Sequence, residues 1–163
     1  MGRADMSVDI ETFSSVDIKK SGLYKYAGSP DFSILLFAYS VNGSEVNVQE
    51  TITDDIKELL FNPEITKHAY NAAFEWFCLS SYFGLNTEQR KRWLGQWRCT
   101  QLHGLYCGYP MGLEAVGKAL GLPQDKRKLA AGKALIKTFC SPCRPTKTNG
   151  WRSRTLPEHE PDR

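Results

Sequence analysis

No apolar run in this chain approaches the roughly 20 residues that an α-helix needs to cross a bilayer, so no spanning helix and no membrane partner are expected. The opening Met1-Gly2-Arg3-Ala4-Asp5 is not followed by an apolar core segment and does not read as a secretory signal. Histidine is scarce, with 3 residues, and none sits in a local signature for a Ser-His-Asp or Cys-His nucleophile. A phosphate-binding P-loop is missing too. Gly132-Lys133 has Arg127 where the first glycine should stand and Ala134 where Ser or Thr should follow. A zinc site lacks its second ligand pair, because Cys140-Ser-Pro-Cys143 is the lone CxxC and His159 the only histidine near it. The odd count of 5 cysteines, with Cys78 and Cys107 in apolar stretches, argues for reduced thiols in a cytosolic setting. No internal repeat is visible.

What is present suits one domain with a real core. The chain has 163 residues, 41% of them hydrophobic and 24% charged. Net charge is only +3, but it is unevenly spread. Residues 126–163 hold 10 Lys/Arg against 3 Asp/Glu, a local +7, and residues 1–125 hold 11 against 15, a local −4. An acidic body followed by a basic tail suits a polyanionic partner held near a cation site. The same tail reads equally as a solvated basic end.

The pattern of elements begins with a strand. In Met6-Ser-Val-Asp-Ile-Glu-Thr-Phe-Ser14, Val8 and Ile10 alternate with Asp9 and Glu11. Residues 14–29 read as a polar connection. Phe32–Tyr39 is an apolar run of strand length, Asn42-Gly43 marks a turn, and residues 45–49 alternate again, so a hairpin pairing with the first strand is expected. Thr53 is a fair N-cap for a helix over Asp54–Phe61, closed by Pro63. Ile65–Tyr70 reads as a strand, Asn71 as a turn, and Ala72–Phe83 as an apolar helix with Phe74, Leu79 and Tyr82 facing the core. Residues 86–95 read as an exposed helix or loop. Helical spacing follows over Cys99–Cys107, Leu113–Leu120 and the basic Lys126–Phe139. The fold expected is α/β, a mixed sheet of three to five strands flanked by helices. Residues 1–140 form the domain, and 141–163 a basic, poorly ordered tail.

Asp9 and Glu11 point to the same face of their strand, about 7 Å apart along the backbone. Paired carboxylates repel and are costly to bury. Mg²⁺, which takes oxygen ligands from one or two carboxylates, is the simplest compensation. Taken alone, an Asp-x-Glu is more often a solvent-facing strand edge. Further along, Asn71-Ala-Ala-Phe74-Glu75 stands where a strand turns into a helix.

Together, Asp9-Ile-Glu11-Thr12 and Asn71-Ala-Ala-Phe74-Glu75 resemble the first two motifs of the DEDD 3′–5′ exonucleases, which have the ribonuclease H-like fold. The likeness extends colinearly from Val8 to Arg163, through residues 9–26, Gly112–Leu122 and Phe139–Gly150. It resembles the N-terminal proofreading portion of phage and prophage family A DNA polymerases. The resemblance implies that Asp9, Glu11 and Glu75 are catalytic metal-ligating residues for two Mg²⁺ or Mn²⁺ ions. It implies that Thr12 touches the terminal nucleotide and that Asn71 orients a single-stranded DNA 3′ end. Phe13 and Phe74 can stack on unpaired bases, and core packing is the competing reading, stronger for Phe74 than for Phe13.

Two departures stand out. Position 75 is Glu where the wider family has Asp. The family's third motif, Tyr or His followed four or five residues later by Asp, is not found: Tyr106 and Tyr109 lack it, and His159 has Arg163 at i+4. The expectation is therefore an exonuclease domain truncated at its C-terminus, without the polymerase portion. The alternatives are a catalytically incomplete fragment that only binds single-stranded nucleic acid, and an RNase D-like nuclease acting on RNA.

Overall fold

The computed structural model describes residues 4–124 and 130–159. Its centre is a five-stranded mixed sheet in the order β3-β2-β1-β4-β5. Strand β1 (Ala4–Phe13) lies in the middle, antiparallel to β2 (Ser33–Val41) and parallel to β4 (Ile65–Ala69). The hairpin partner β3 (Asn47–Gln49) closes one edge and β5 (Trp97–Cys99), parallel to β4, the other. An antiparallel three-strand unit followed by parallel strands reached through helices is the arrangement of a ribonuclease H-like fold. The expected hairpin turns at Asn42 and Gly43, both in the left-handed region (φ 52° and 71°), where Asn and Gly carry the least steric penalty.

The alternation in β1 sorts its two faces. Met6, Val8, Ile10 and Thr12 are buried, whereas Asp5, Ser7 and Asp9 are exposed and Glu11 is half-buried. The pairing with β2 runs Asp9↔Ala38 and Glu11↔Leu36, then shifts so that Thr12 faces Ile34, a bulge that leaves Leu35 without an opposite number. The core gathers Met6, Val8, Ile10, Phe37, Leu60, Cys78 and Leu79.

Helix α2 (Asp54–Phe61) begins after Thr53, and α3 (Ala73–Tyr82) follows the turn at Asn71. Leu79 is in the core and Phe74 packs against it, but Tyr82 is 47% exposed, so that expected core position is corrected. Its place is taken by Cys78 and Leu79, one helical turn back. Residues 14–29, read as a connection, instead contain α1 (Ile18–Ala27), capped by the Asp17 side chain on the Lys19 N–H. Gly22 (φ 79°) kinks this helix and breaks its apolar period, which hides it from pattern reading.

Residues 86–95 form α4 (Thr87–Leu94) behind an Asn86/Gln89 capping box. Although its face is charged, Trp93 is buried, donates its indole N–H to the Leu60 carbonyl at 2.9 Å, and packs on Phe61 and Trp97. Helices α5 (Thr100–Tyr106) and α6 (Leu113–Ala119) match the helical spacing. Helix α7 (Ala130–Phe139) is the described part of the basic helix; residues 126–129 of that expectation lie outside the described residues.

Past α7 the chain has little regular structure beyond a 3₁₀ turn at Pro157–His159. It is nonetheless laid onto the body, contrary to the loose tail expected. Thr155 is buried, and the Arg154 guanidinium lies 4.0 Å from the centre of the Phe13 ring. The anchor is an arginine rather than an apolar side chain, so counting hydrophobic residues misses it.

Candidate functional site

Asp9, Glu11 and Phe13 alternate along β1 and pair with β2, just past Ala4–Ser7, the stretch of β1 that pairs with β4 as well. Asp9 and Glu11 line a cleft of about 770 Å³ closed by α5, α6 and α7. Its walls are kept in place by Tyr70, whose hydroxyl donates to the Met111 carbonyl at 2.7 Å, and by Gln101, which reaches the same oxygen. Glu11 also borders a second cleft of about 700 Å³, on the β2 side of α7, with Ile34, Leu36, Phe139 and Arg154.

Glu75 enters from α3. It occupies the first turn of that helix and is only 4% exposed. Its Oε2 is buried with no hydrogen-bond partner. Burial pushes its carboxyl up to about 8; hydrogen bonding to its own backbone N–H pulls it down, and the charges of Asp9 and Glu11 push it further up. The three acids therefore lie within electrostatic reach of one another, and at neutral pH Glu75 holds a proton. Among the described residues no three Asp, Glu, His or Cys side chains form a ready-made ligand set. An orphaned carboxylate oxygen within electrostatic reach of two further carboxylates is nevertheless chemistry suited to a hard divalent cation, so the residue types fit one.

The remaining expected residues have different placements. Asn71 is exposed, in the left-handed conformation (φ 68°), and its carbonyl accepts the Phe74 N–H at the start of α3. Thr12 is buried, with its hydroxyl paired to the Tyr26 hydroxyl at 2.8 Å rather than presented to a cleft. Tyr26 in turn packs against Phe74, with ring centres 6.2 Å apart. The aromatic order is reversed from expectation: Phe13 is 3% exposed beneath Arg154, and Phe74 is half-buried. His68 donates to or accepts from Asp5 at 2.9 Å and is not near a nucleophile.

Three contributors escape sequence reading. Cys140 points its thiol at Glu11 Oε2, 3.6 Å away; burial and then the Glu11 charge push that thiol up to about 12. Cys99, at the start of α5, is raised by burial, but backbone N–H groups of Leu102, Ala72, Asn71 and Gln101 outweigh this and bring it below its ordinary value. That sulfur ties the Asn71 turn to α5. Arg154 is the third, and no spacing in the sequence links it to β1.

No family model matches the chain. It is 45% identical, over 97% of its length, to the DNA polymerase of Bacillus phage SP02, and spans 24% of that protein. Among solved structures it is similar to a chain in the structure of the yeast NOT1 MIF4G domain co-crystallised with CAF1, at a TM-score of 0.51 and 13% identity, covering 81% of this chain and 75% of the other. Escherichia coli RNase D, an exoribonuclease involved in structured RNA processing, gives a TM-score of 0.48 at 18% identity, covering 81% of this chain and 34% of its own. No helix among the described residues is long and apolar enough to cross a membrane.

Proposed function

We propose that this relative of a phage DNA polymerase is its metal-dependent 3′–5′ exonuclease portion, removing 3′-terminal nucleotides from single-stranded DNA in a proofreading role. The observation that carries the reading is the trio Asp9, Glu11 and Glu75, with one Glu75 oxygen buried and unpartnered on a chain so similar to a polymerase. Asp9 and Glu11 would hold Mg²⁺ or Mn²⁺, with Glu75 contributing through water. When bound, such ions supply an activated water near neutral pH and neutralise charge on the scissile phosphate.

The protein's own residues do the positioning. The ladder with β2, Asp9 opposite Ala38 and Glu11 opposite Leu36, fixes the spacing of the two acids, so little reorganisation would be needed when substrate arrives. Without a cation, Glu75 stays neutral by keeping its proton; a cation beside it favours the ionised form. Asn71, exposed at the turn into α3, would hydrogen-bond the strand. Phe74, half-buried against Tyr26, would stack on a terminal base with what remains exposed of its ring.

The test is digestion of a 5′-labelled single-stranded DNA oligonucleotide with Mn²⁺, with Asp9→Ala alongside. The expected result is a ladder of 3′-shortened products that the variant loses by a factor of about 10² or more. A ladder unchanged in Asp9→Ala overturns the assignment. The second reading, binding without cleavage, is favoured by the lack of a ready-made set of three ligands among the described residues. It predicts salt-sensitive binding and no ladder.

A further inference from the structure

We propose that Arg154 is a phosphate-binding residue, and that it directs the nucleic-acid strand into the second cleft, on the β2 side of α7; this rests on the reading of the chain as acting on single-stranded DNA. The first cleft contributes Asp9 and Glu11 and, among the described residues, no Lys or Arg. The second has Glu11 and Glu50 but also Arg154, the one Lys or Arg among the described residues lining either cleft. A polyanion passing Glu11 meets carboxylates on every route. Among the described residues, only the second cleft is lined by a guanidinium to offset them.

The side chain is set up for such a contact. A guanidinium offers five N–H donors in a planar fork. Arg154 has its guanidinium carbon 4.0 Å from the centre of the Phe13 ring, and its Nη2 donates to Ser33 Oγ at 3.2 Å. Its Nε is buried without a hydrogen-bond partner. A buried charged donor left unpaired is costly; a phosphate in the cleft that Arg154 lines would offset the charge of the guanidinium and meet its accessible donors. The charge of Arg154 reaches Cys140, the residue whose thiol touches Glu11, so the guanidinium and the acids act on one region. The cleft walls between them are apolar (Ile34, Leu36, Leu135, Phe139), a surface against which a sugar and base can lie.

The experiment needs no cleavage. Binding of a 5′-fluorescein single-stranded DNA oligonucleotide is followed by anisotropy in EDTA across a salt series, with melting curves recorded for each protein. Arg154→Gln is expected to bind about tenfold more weakly and to lower the slope of log affinity against log salt by about 0.7, the release expected for one phosphate contact on a single strand. Lys91→Gln, which removes the same charge from exposed α4, should change neither. Arg154→Lys should recover the salt slope.

If Arg154→Gln behaves as Lys91→Gln does, the proposal is overturned while the nucleic-acid reading stands. If Arg154→Lys shows the same reduced slope and affinity as the Gln variant, the loss comes from packing on Phe13, and the proposal falls. If the unmodified protein does not bind the oligonucleotide at all, both fall.

Discussion

Glu75 gives the residue-scale prediction. Its folded value of about 8 lies above the ordinary 4.5, so folding takes up a proton between those limits. Its contribution therefore grows less favourable as pH rises from about 4.5 to 8, and the full penalty applies above that window. In EDTA, Glu75→Gln should be more stable than the unmodified protein near pH 8.5 by on the order of a few kcal/mol, and no more stable near pH 4.5. Urea denaturation at the two pH values measures this. Parallel stabilities across pH would show that the carboxyl is not strained. Added Mn²⁺ should erase the difference at high pH, because a cation favours the ionised side chain.

At the scale of elements, the turn into α3 separates backbone from side chain at Asn71. With φ at 68°, Asn71→Gly keeps the conformation at little cost, whereas Asn71→Ala should lose about 1 kcal/mol. If the Asn71 side chain holds the strand, the Gly variant keeps its melting temperature and loses cleavage about tenfold. Equal cleavage by both proteins would remove Asn71 from the site. The strands and α2 were legible because their patterns are local: alternation in β1, Asn-Gly in the hairpin, and Thr53 before two acids. Helix α1 was not, since Gly22 interrupts it and its polar residues show no apolar stripe. Strand β5 is not legible, since three residues are too few for any period, and only its last residue, Cys99, falls within the helical spacing. Asp9, Glu11 and Glu75 were visible through a resemblance of motifs. Arg154 and Cys140 were not, because their contacts with Phe13 and Glu11 span more than a hundred residues of chain.

On the scale of the whole molecule, one buried lysine joins three segments. Lys67 in β4 is fully buried, and its ammonium donates to the Asn62 carbonyl (2.6 Å), the Ile65 carbonyl (2.9 Å) and Gln96 Oε1 (2.7 Å). Those acceptors belong to the end of α2, the start of β4 and the link into β5. Lys67→Met fills the volume but orphans three acceptors, at a cost of about 3 kcal/mol; Lys67→Ala adds a cavity and should cost about 5. Urea midpoints in the order unmodified, Met, Ala are the expected outcome. Equal midpoints for all three would show that the ammonium does not hold these segments together.

The middle position of β1 also has a consequence in time. Peptide groups bonded to neighbours on both sides open only when most of the molecule opens, while segments with few regular bonds open far more cheaply. Asp9 and Glu11 follow directly on the doubly paired Ala4–Ser7 and are themselves bonded to β2, whereas Arg154 sits on a segment of the second kind. The acids are thus stationary through many openings of the arm that carries the guanidinium. Under the proposed function, a strand would meet a fixed anvil and a looser clasp.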